Sequence, residues 1–153
     1  MKENPFKYGK AVTGDDFIDR VDVLNEITSD LLSGQNLIIY SNRRLGKSSL
    51  ILEAFRGMEK REVITVYIDM YSISSKKDLI ESVIHKTISE SYNKVEKIGN
   101  IAGEFFKSLR PRFYLEEGQI GVEIYTEDTG KNSFEESLNF PQRIAEKKGK
   151  QVI

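Results

Sequence analysis

The spacing of apolar residues in the first half of the chain predicts a helix, a short strand and a second helix. After Asp19, apolar residues recur every three or four positions, with Asp19 placed to cap a helix and Gly34 placed to end it. Residues 37–40 form a continuous apolar run, which is typical of a parallel strand buried on both faces. A polar loop over 41–46 then opens into an amphipathic stretch over 47–55, with Gly57 placed just past its end. This half therefore predicts a helix followed by a strand, loop and helix unit.

The next segment completes a β-α-β pattern. Residues 63–68 are apolar and rich in β-branched side chains, which predicts a second strand that ends at Asp69. Ser74 or Ser75 then caps a third helix, whose apolar residues share one face, and another helical stretch is predicted over 95–109. Asp69 is interpreted either as a carboxylate at the strand end that helps to hold the magnesium ion indirectly or contacts the substrate, or as a turn cap.

The last third of the chain adds a hairpin, more helix and the start of a strand. Apolar residues on both sides of 116–119 predict a β-hairpin. Residues 134–145 have helical spacing, and Pro141 is expected to start a second helix there, since proline disrupts a helix interior. Residues 151–153 begin a third buried strand. The predicted fold is a three-layer α/β sandwich with a mainly parallel sheet, incomplete, in a single domain over 1–153 that has an arm at 1–18 and a hairpin insertion at 111–126.

Composition narrows the function classes. The chain of 153 residues is 39% hydrophobic and 31% charged, and no apolar run approaches the roughly 20 residues of a membrane helix. It has no cysteine, which excludes disulfides and thiolate metal sites, and its polar start lacks a secretory signal, so a cytoplasmic location is expected. A net charge of -1 gives no basic footprint, so nucleic acid is not indicated as a partner.

The loop before the second helix carries the candidate chemistry. The phosphate-loop pattern is G-x-x-x-x-G-K-[ST], and the chain departs from it only at the first glycine, where it has Ser41. In such a loop Lys47 binds the β and γ phosphates and is the catalytic candidate, Ser48 holds Mg²⁺, and the amides of Gly46 and Ser49 face the phosphates. A side chain at position 41 would cost about 1 kcal/mol if the backbone there is left-handed. The predicted nucleotide-binding loop is Ser41, Asn42, Arg43, Arg44, Leu45, Gly46, Lys47, Ser48 and Ser49.

Residues 43–50 resemble the loop of the archaeal-type ATPase family, a branch of the P-loop ATPases related to the AAA+ and STAND groups, which commonly reads G-P-R-R-x-G-K-T-S-L. Residues 4–6 and 17–20 look like the family's N-terminal segment. The resemblance implies a P-loop ATP-binding domain with Mg-ATP as ligand and with Phe17, Ile18 and Arg20 near the adenine. The chain departs from the family at Ser41, at Ser48, where threonine is common, and at two valines where the first helix is often acidic.

Families of this kind also have a third strand that ends in an acidic pair, and here the chain stops as that strand begins. We therefore expect an N-terminal fragment or a truncated product that binds ATP at best weakly and hydrolyses it negligibly, with C-terminal domains or a partner protein completing the ATPase. Arg43 and Arg44 are interpreted as phosphate ligands, as contacts for an acidic partner, or as solvated charges. The alternatives are a non-catalytic interaction module, a GTPase, although no D-x-x-G follows the second strand, and a small-molecule kinase that uses Asp69.

Overall fold

The computed structural model describes residues 9–59, 61–92, 105–106, 111–116, 119–124 and 131–153. The chain packs as two compact units, one running to Arg61 and the other from Glu62. The described residues form a mixed α/β structure with four helices, one parallel pair of strands and one antiparallel pair.

The first unit contains helix α1 (Val21–Leu32), which ends as its sequence predicts. Gly34 has a φ of 81° and its amide donates to the carbonyl of Leu31 at 3.0 Å, while the amide of Gln35 donates to the carbonyl of Asp30 at 3.0 Å. This pair of hydrogen bonds is the Schellman arrangement, which requires a left-handed residue after the helix. Gly34 therefore ends α1 because glycine takes that conformation without a steric penalty.

The start of α1 differs from the prediction that Asp19 caps it. The residue before the helix is Arg20, and no side chain caps the helix amides. Asp19 instead accepts a hydrogen bond at Oδ1 from the adjacent amide of Arg20 at 2.8 Å. Both residues have left-handed backbones, with φ of 73° and 66°, so the chain turns sharply before α1 and Asp19 cannot reach the second or third helical amide.

Helix α2 (Lys47–Met58) begins at the lysine, as predicted. It packs against α1 in the same unit and buries Leu50, Ala54 and Met58. Gly57 lies inside its last turn, so the expectation that this glycine follows the helix is wrong. The fully buried Met58 side chain explains the extension, since its burial is worth about 1.5–3 kcal/mol while a helical glycine costs about 1 kcal/mol.

The strand predicted at 37–40 is not paired in this structure. These residues form no ladder with any described residue, and Ile38 and Tyr40 are 77% and 86% exposed. Burial alternates along the run, with residues 37 and 39 half-buried. The prediction of burial on both faces is therefore wrong for this structure, because a strand is assigned and buried only when neighbouring strands supply its hydrogen bonds.

The second unit contains the parallel pair, β1 (Val63–Ile64) and β4 (Gln151–Val152). The pairing continues beyond the assigned strands, since Ile153 donates to Ile64 at 2.9 Å and Val66 donates to Ile153 at 2.8 Å through their backbones. The predicted second and third strands thus meet in a parallel register. Helix α3 (Lys76–Ser91) lies between them in sequence and is capped at its start by Ser75, whose hydroxyl accepts from the amide of Asp78 at 3.0 Å.

The predicted hairpin also forms in the second unit, from β2 (Pro111–Glu116) and β3 (Gln119–Ile124) in antiparallel register. At its end the amide of Ile124 donates to Glu81 of α3 at 2.9 Å, which fastens the hairpin to the helix. The core joins the hairpin to β1, α3 and helix α4 (Lys131–Lys148). Its buried members are Ile64, Ile80, Ile84, Ile88, Phe105, Phe106, Ile124, Phe140, Ile144 and Ala145.

Helix α4 passes through Pro141 without ending, so the predicted second start at that residue is wrong. Phe140 and Ile144 are both fully buried in the core on either side of the proline. Each such side chain contributes about 1.5–3 kcal/mol on burial, which together offsets the roughly 3 kcal/mol that an interior proline costs. The predicted family segment 4–6, the tip of the hairpin at 117–118 and most of the helix predicted over 95–109 lie outside the described residues.

Candidate nucleotide-binding site

The loop before α2 has the backbone of an anion cradle. Arg44 and Gly46 are left-handed, with φ of 68° and 77°, and Lys47 after them is helical. A left-handed residue followed by a right-handed one turns successive N–H groups toward a common point, the arrangement called a nest. The amides of Gly46, Lys47 and Ser48 therefore converge on the side where α2 begins.

The first turn of α2 adds further donors. No side chain caps it, and its first main-chain hydrogen bond at the junction runs from the amide of Leu50 to the carbonyl of Gly46 at 2.9 Å. The amides of Lys47, Ser48 and Ser49 precede that bond and are left to an external acceptor. Together with the positive end of the helix dipole, they favour a phosphate group here.

The side chain of Lys47 forms hydrogen bonds with the start of the same loop. Its Nζ donates to the carbonyl of Ser41 at 2.8 Å, to Ser41 Oγ at 3.2 Å and to the carbonyl of Asn42 at 3.2 Å. All of these partners are neutral oxygens. A phosphate would offer the ammonium a charged acceptor, for which hydrogen bonds are about twice as strong as for neutral ones.

Ser41 needs no left-handed backbone. It is absent from the described residues with positive φ, which are Asp19, Arg20 and Arg44 apart from glycines. The strain expected for a side chain in place of the first glycine is therefore not present. Its hydroxyl instead takes part in holding the ammonium of Lys47, a contact that glycine cannot make.

A cleft of about 340 Å³ in the first unit adjoins the loop. One wall comes from the arm and the turn before α1, through Val12, Asp16, Phe17, Ile18 and Arg20. The opposite wall comes from Arg44, Leu45, Gly46 and Ser49. The structure thus brings the residues predicted near the adenine, Phe17, Ile18 and Arg20, to the same cleft as part of the predicted phosphate loop.

Arg20 links the two walls. Its Nη1 donates to the carbonyl of Leu45 at 2.8 Å, next to Gly46. Arg20 and Arg44 both line the cleft and both have left-handed backbones, as does Asp19 next to Arg20. This conformation costs about 1–2 kcal/mol for each such residue. Such strain is concentrated at functional sites in proteins, and neither its location nor the Arg20 contact could be read from the hydrophobic pattern.

Other predicted site residues lie outside the cleft wall. Asn42, Arg43, Lys47 and Ser48 do not line it; the first two are exposed, and Lys47 is partly buried. Ser48 is exposed and its hydroxyl makes no hydrogen bond with the described residues. In the second unit Asp69 is a turn cap, since its Oδ1 accepts from the amide of Tyr71 at 3.0 Å.

Two side chains of α2 hold the arm, and sequence reasoning missed both roles. Ser49 Oγ accepts from the amide of Val12 at 3.0 Å, and Glu53 Oε2 accepts from the amide of Gly14 at 2.7 Å. Arg56 donates two hydrogen bonds to the same carboxylate, from Nε to Oε2 at 2.9 Å and from Nη2 to Oε1 at 2.6 Å. The hydrogen bonds from Arg56, supported by the Gly14 amide, lower the pKa of Glu53 although burial opposes this, so the carboxylate is charged at neutral pH.

The described residues of the site fit a Mg²⁺ ion only when the phosphate groups of a ligand supply part of its coordination. In the described ranges no group of three or more histidines, cysteines or carboxylates is placed to hold a metal. Mg²⁺ commonly keeps its waters and binds through few protein groups plus substrate phosphates, for which the unengaged hydroxyl of Ser48 is a suitable ligand.

No family model, curated protein or solved structure matches this chain. None of the described helices has the length and apolar character needed to cross a membrane.

Proposed function

We propose that the first unit binds Mg-ATP, with the triphosphate on the loop at 41–48 and the nucleoside in the adjoining cleft. The observation that carries the proposal is the nest at Gly46 and Lys47, at the uncapped start of α2 and beside a cleft large enough for an organic group. The phosphate-loop pattern in the sequence supports the same assignment.

Each part of the ligand has a proposed contact. The amides of Gly46, Lys47, Ser48 and Ser49 bind phosphate oxygens, and the ammonium of Lys47 leaves the carbonyls of Ser41 and Asn42 for the terminal phosphates. Ser48 Oγ holds the magnesium ion, which neutralises phosphate charge when bound. Binding rather than hydrolysis is the proposed activity, because these contacts bind and orient phosphate and supply no group that activates water.

The adenine and ribose lie against Phe17, Ile18 and Arg20 in this proposal. Ile18 is 84% exposed and Phe17 is partly buried, so an aromatic base would cover apolar surface that water now contacts. The larger proposal is that the chain is the nucleotide-binding part of a cytoplasmic P-loop ATPase with a three-layer sandwich, whose other domains or partner respond to the nucleotide.

Calorimetric titration tests the proposal with Mg-ATP, Mg-GTP and Mg-tripolyphosphate. We expect saturable binding of ATP and tripolyphosphate, and a loss of about 10- to 100-fold in affinity for both in Lys47→Ala, which removes a charged hydrogen-bond donor. Lys86→Ala is the matched control, since Lys86 is exposed on α3 in the second unit. Absence of ATP binding, or an unchanged affinity in Lys47→Ala, contradicts the proposal. Tighter binding of GTP than of ATP would identify GTP as the ligand instead.

A further inference from the structure

The arm segment that forms one wall of the cleft has few hydrogen bonds of its own. Residues Gly14–Asp16 form a single 3-10 turn, closed by the amide of Phe17 donating to the carbonyl of Gly14 at 2.9 Å. A three-residue turn without a buried side chain is too short to hold a fixed position by itself. Its place against α2 must therefore come from contacts to other elements.

Two of those contacts are hydrogen bonds to α2. Ser49 and Glu53 are four residues apart, so their side chains project from the same face of the helix toward the arm. They accept hydrogen bonds from the amides of Val12 and Gly14, which lie two residues apart on the arm. The pair thus fixes both the position and the direction of the segment that leads into Phe17 and Ile18.

Glu53 is the stronger of the two anchors. Its side chain is 8% exposed, and Arg56 donates to both of its oxygens, so the carboxylate is held in one orientation with Oε2 turned to Gly14. An amide bound to a charged acceptor contributes more than one bound to a hydroxyl. Glu53 itself does not line the cleft.

We propose that Glu53, oriented by Arg56, is a positioning residue that sets the affinity of the cleft for the nucleoside part of the ligand, while the loop binds phosphate without its help. The inference rests on the proposed nucleotide binding. In this inference the cleft wall formed by the arm recognises the base and ribose. The position of that wall depends on the Glu53–Arg56 ion pair, which lies outside the cleft lining. The phosphate contacts come from the loop and from the first amides of α2, and the hydrogen bonds of Glu53 go instead to Gly14 and Arg56.

The test compares ligands with and without a nucleoside. Titrations of the parent chain, Glu53→Gln and Glu53→Ala with Mg-ATP and Mg-tripolyphosphate should show ATP affinity reduced on the order of tenfold in Glu53→Ala, less in Glu53→Gln, and tripolyphosphate affinity unchanged. Glu59→Gln, the same charge change beside the exposed end of α2, should leave both affinities as they are.

Hydrogen exchange of the Gly14 amide gives a readout that needs no ligand. We expect faster exchange at Gly14 in both Glu53 variants and unchanged exchange along α2 in Glu53→Gln, which keeps the shape of the side chain. If both ligands bind the parent and Glu53→Ala weakens both equally or neither, or if the Gly14 amide exchanges as in the parent, the inference is overturned while nucleotide binding stands. If the parent binds neither ligand, the proposed function fails first and the inference fails with it.

Discussion

Ser41 occupies the position where the phosphate-loop pattern has glycine, and the structure gives it a role that glycine lacks. Its φ is not left-handed, and its Oγ lies 3.2 Å from the ammonium of Lys47. The residue therefore holds the lysine at the loop before any ligand arrives. The departure from the pattern is accommodated by the backbone.

Restoring the glycine should accordingly bring no gain. In Ser41→Gly we expect the free energy of unfolding to fall by about 0.5–1 kcal/mol, because glycine loses more backbone entropy on folding. ATP affinity should change by less than about fivefold, since only one hydroxyl contact of the lysine is lost. Urea unfolding and calorimetric titration measure the two quantities. A tenfold rise in ATP affinity would show that Ser41 does strain the loop.

At the same scale, the sequence pattern proposes the residues of the loop but not the side chains that hydrogen-bond to the arm. Gly46, Lys47 and Ser48 were predicted because a fixed spacing encodes their chemistry. Glu53 was not, because its role depends on which main-chain amide of the distant arm approaches α2, and no local spacing encodes that approach. The left-handed backbone of Arg20 was missed as well, since no local spacing encodes it.

At the scale of elements, two glycines in helical regions have opposite roles. Gly34 follows α1 with a φ of 81°, where any other residue is strained. Gly57 lies within α2 without positive φ, and a Cβ added to it meets no atom within 4 Å. The same substitution should therefore act in opposite directions at the two sites.

We expect Gly34→Ala to lower the free energy of unfolding by about 1–2 kcal/mol, because alanine must take the left-handed conformation in the Schellman cap. Gly57→Ala should raise it by about 0.5–1 kcal/mol, because alanine favours the helix and finds open space. Chemical denaturation of both variants beside the parent measures the difference, and each is the control for the other. Changes of the same sign would mean that one of these two backbone conformations is misassigned.

The elements that could be predicted are those that their own residues stabilise. The face of α1 and the glycine after it are local signals, as is the serine at position 75 before α3. The run at 37–40 could not be resolved in this way, since the same apolar residues become a strand only when another strand pairs with them. The prediction that a second helix starts at Pro141 was wrong, because the burial of Phe140 and Ile144 outweighs the cost of a proline inside a helix.

At the scale of the whole molecule, each unit has its own apolar interior. The first buries Ile27, Leu50, Ala54 and Met58, and the second buries a larger cluster centred on Phe140. The ring of Phe140 lies 5.7 Å from that of Phe105 and 4.8 Å from that of Phe106, measured between centroids. The proposed nucleotide contacts all belong to the first unit, so we expect a substitution in the second core to leave ATP affinity unchanged.

Phe140→Ala tests this expectation. We expect it to lower the free energy of unfolding measured by hydrogen exchange in α3 and α4 by about 3–5 kcal/mol, because a fully buried phenylalanine leaves a cavity in the cluster. ATP affinity at the loop should stay within about twofold of the parent. Leu138→Ala is the control on the same helix, since Leu138 is 49% exposed, and it should change stability by no more than about 0.5 kcal/mol. A large loss of ATP affinity in a Phe140→Ala chain that remains folded would contradict the assignment of the ligand contacts to the first unit alone, because Phe140 belongs to the core of the second.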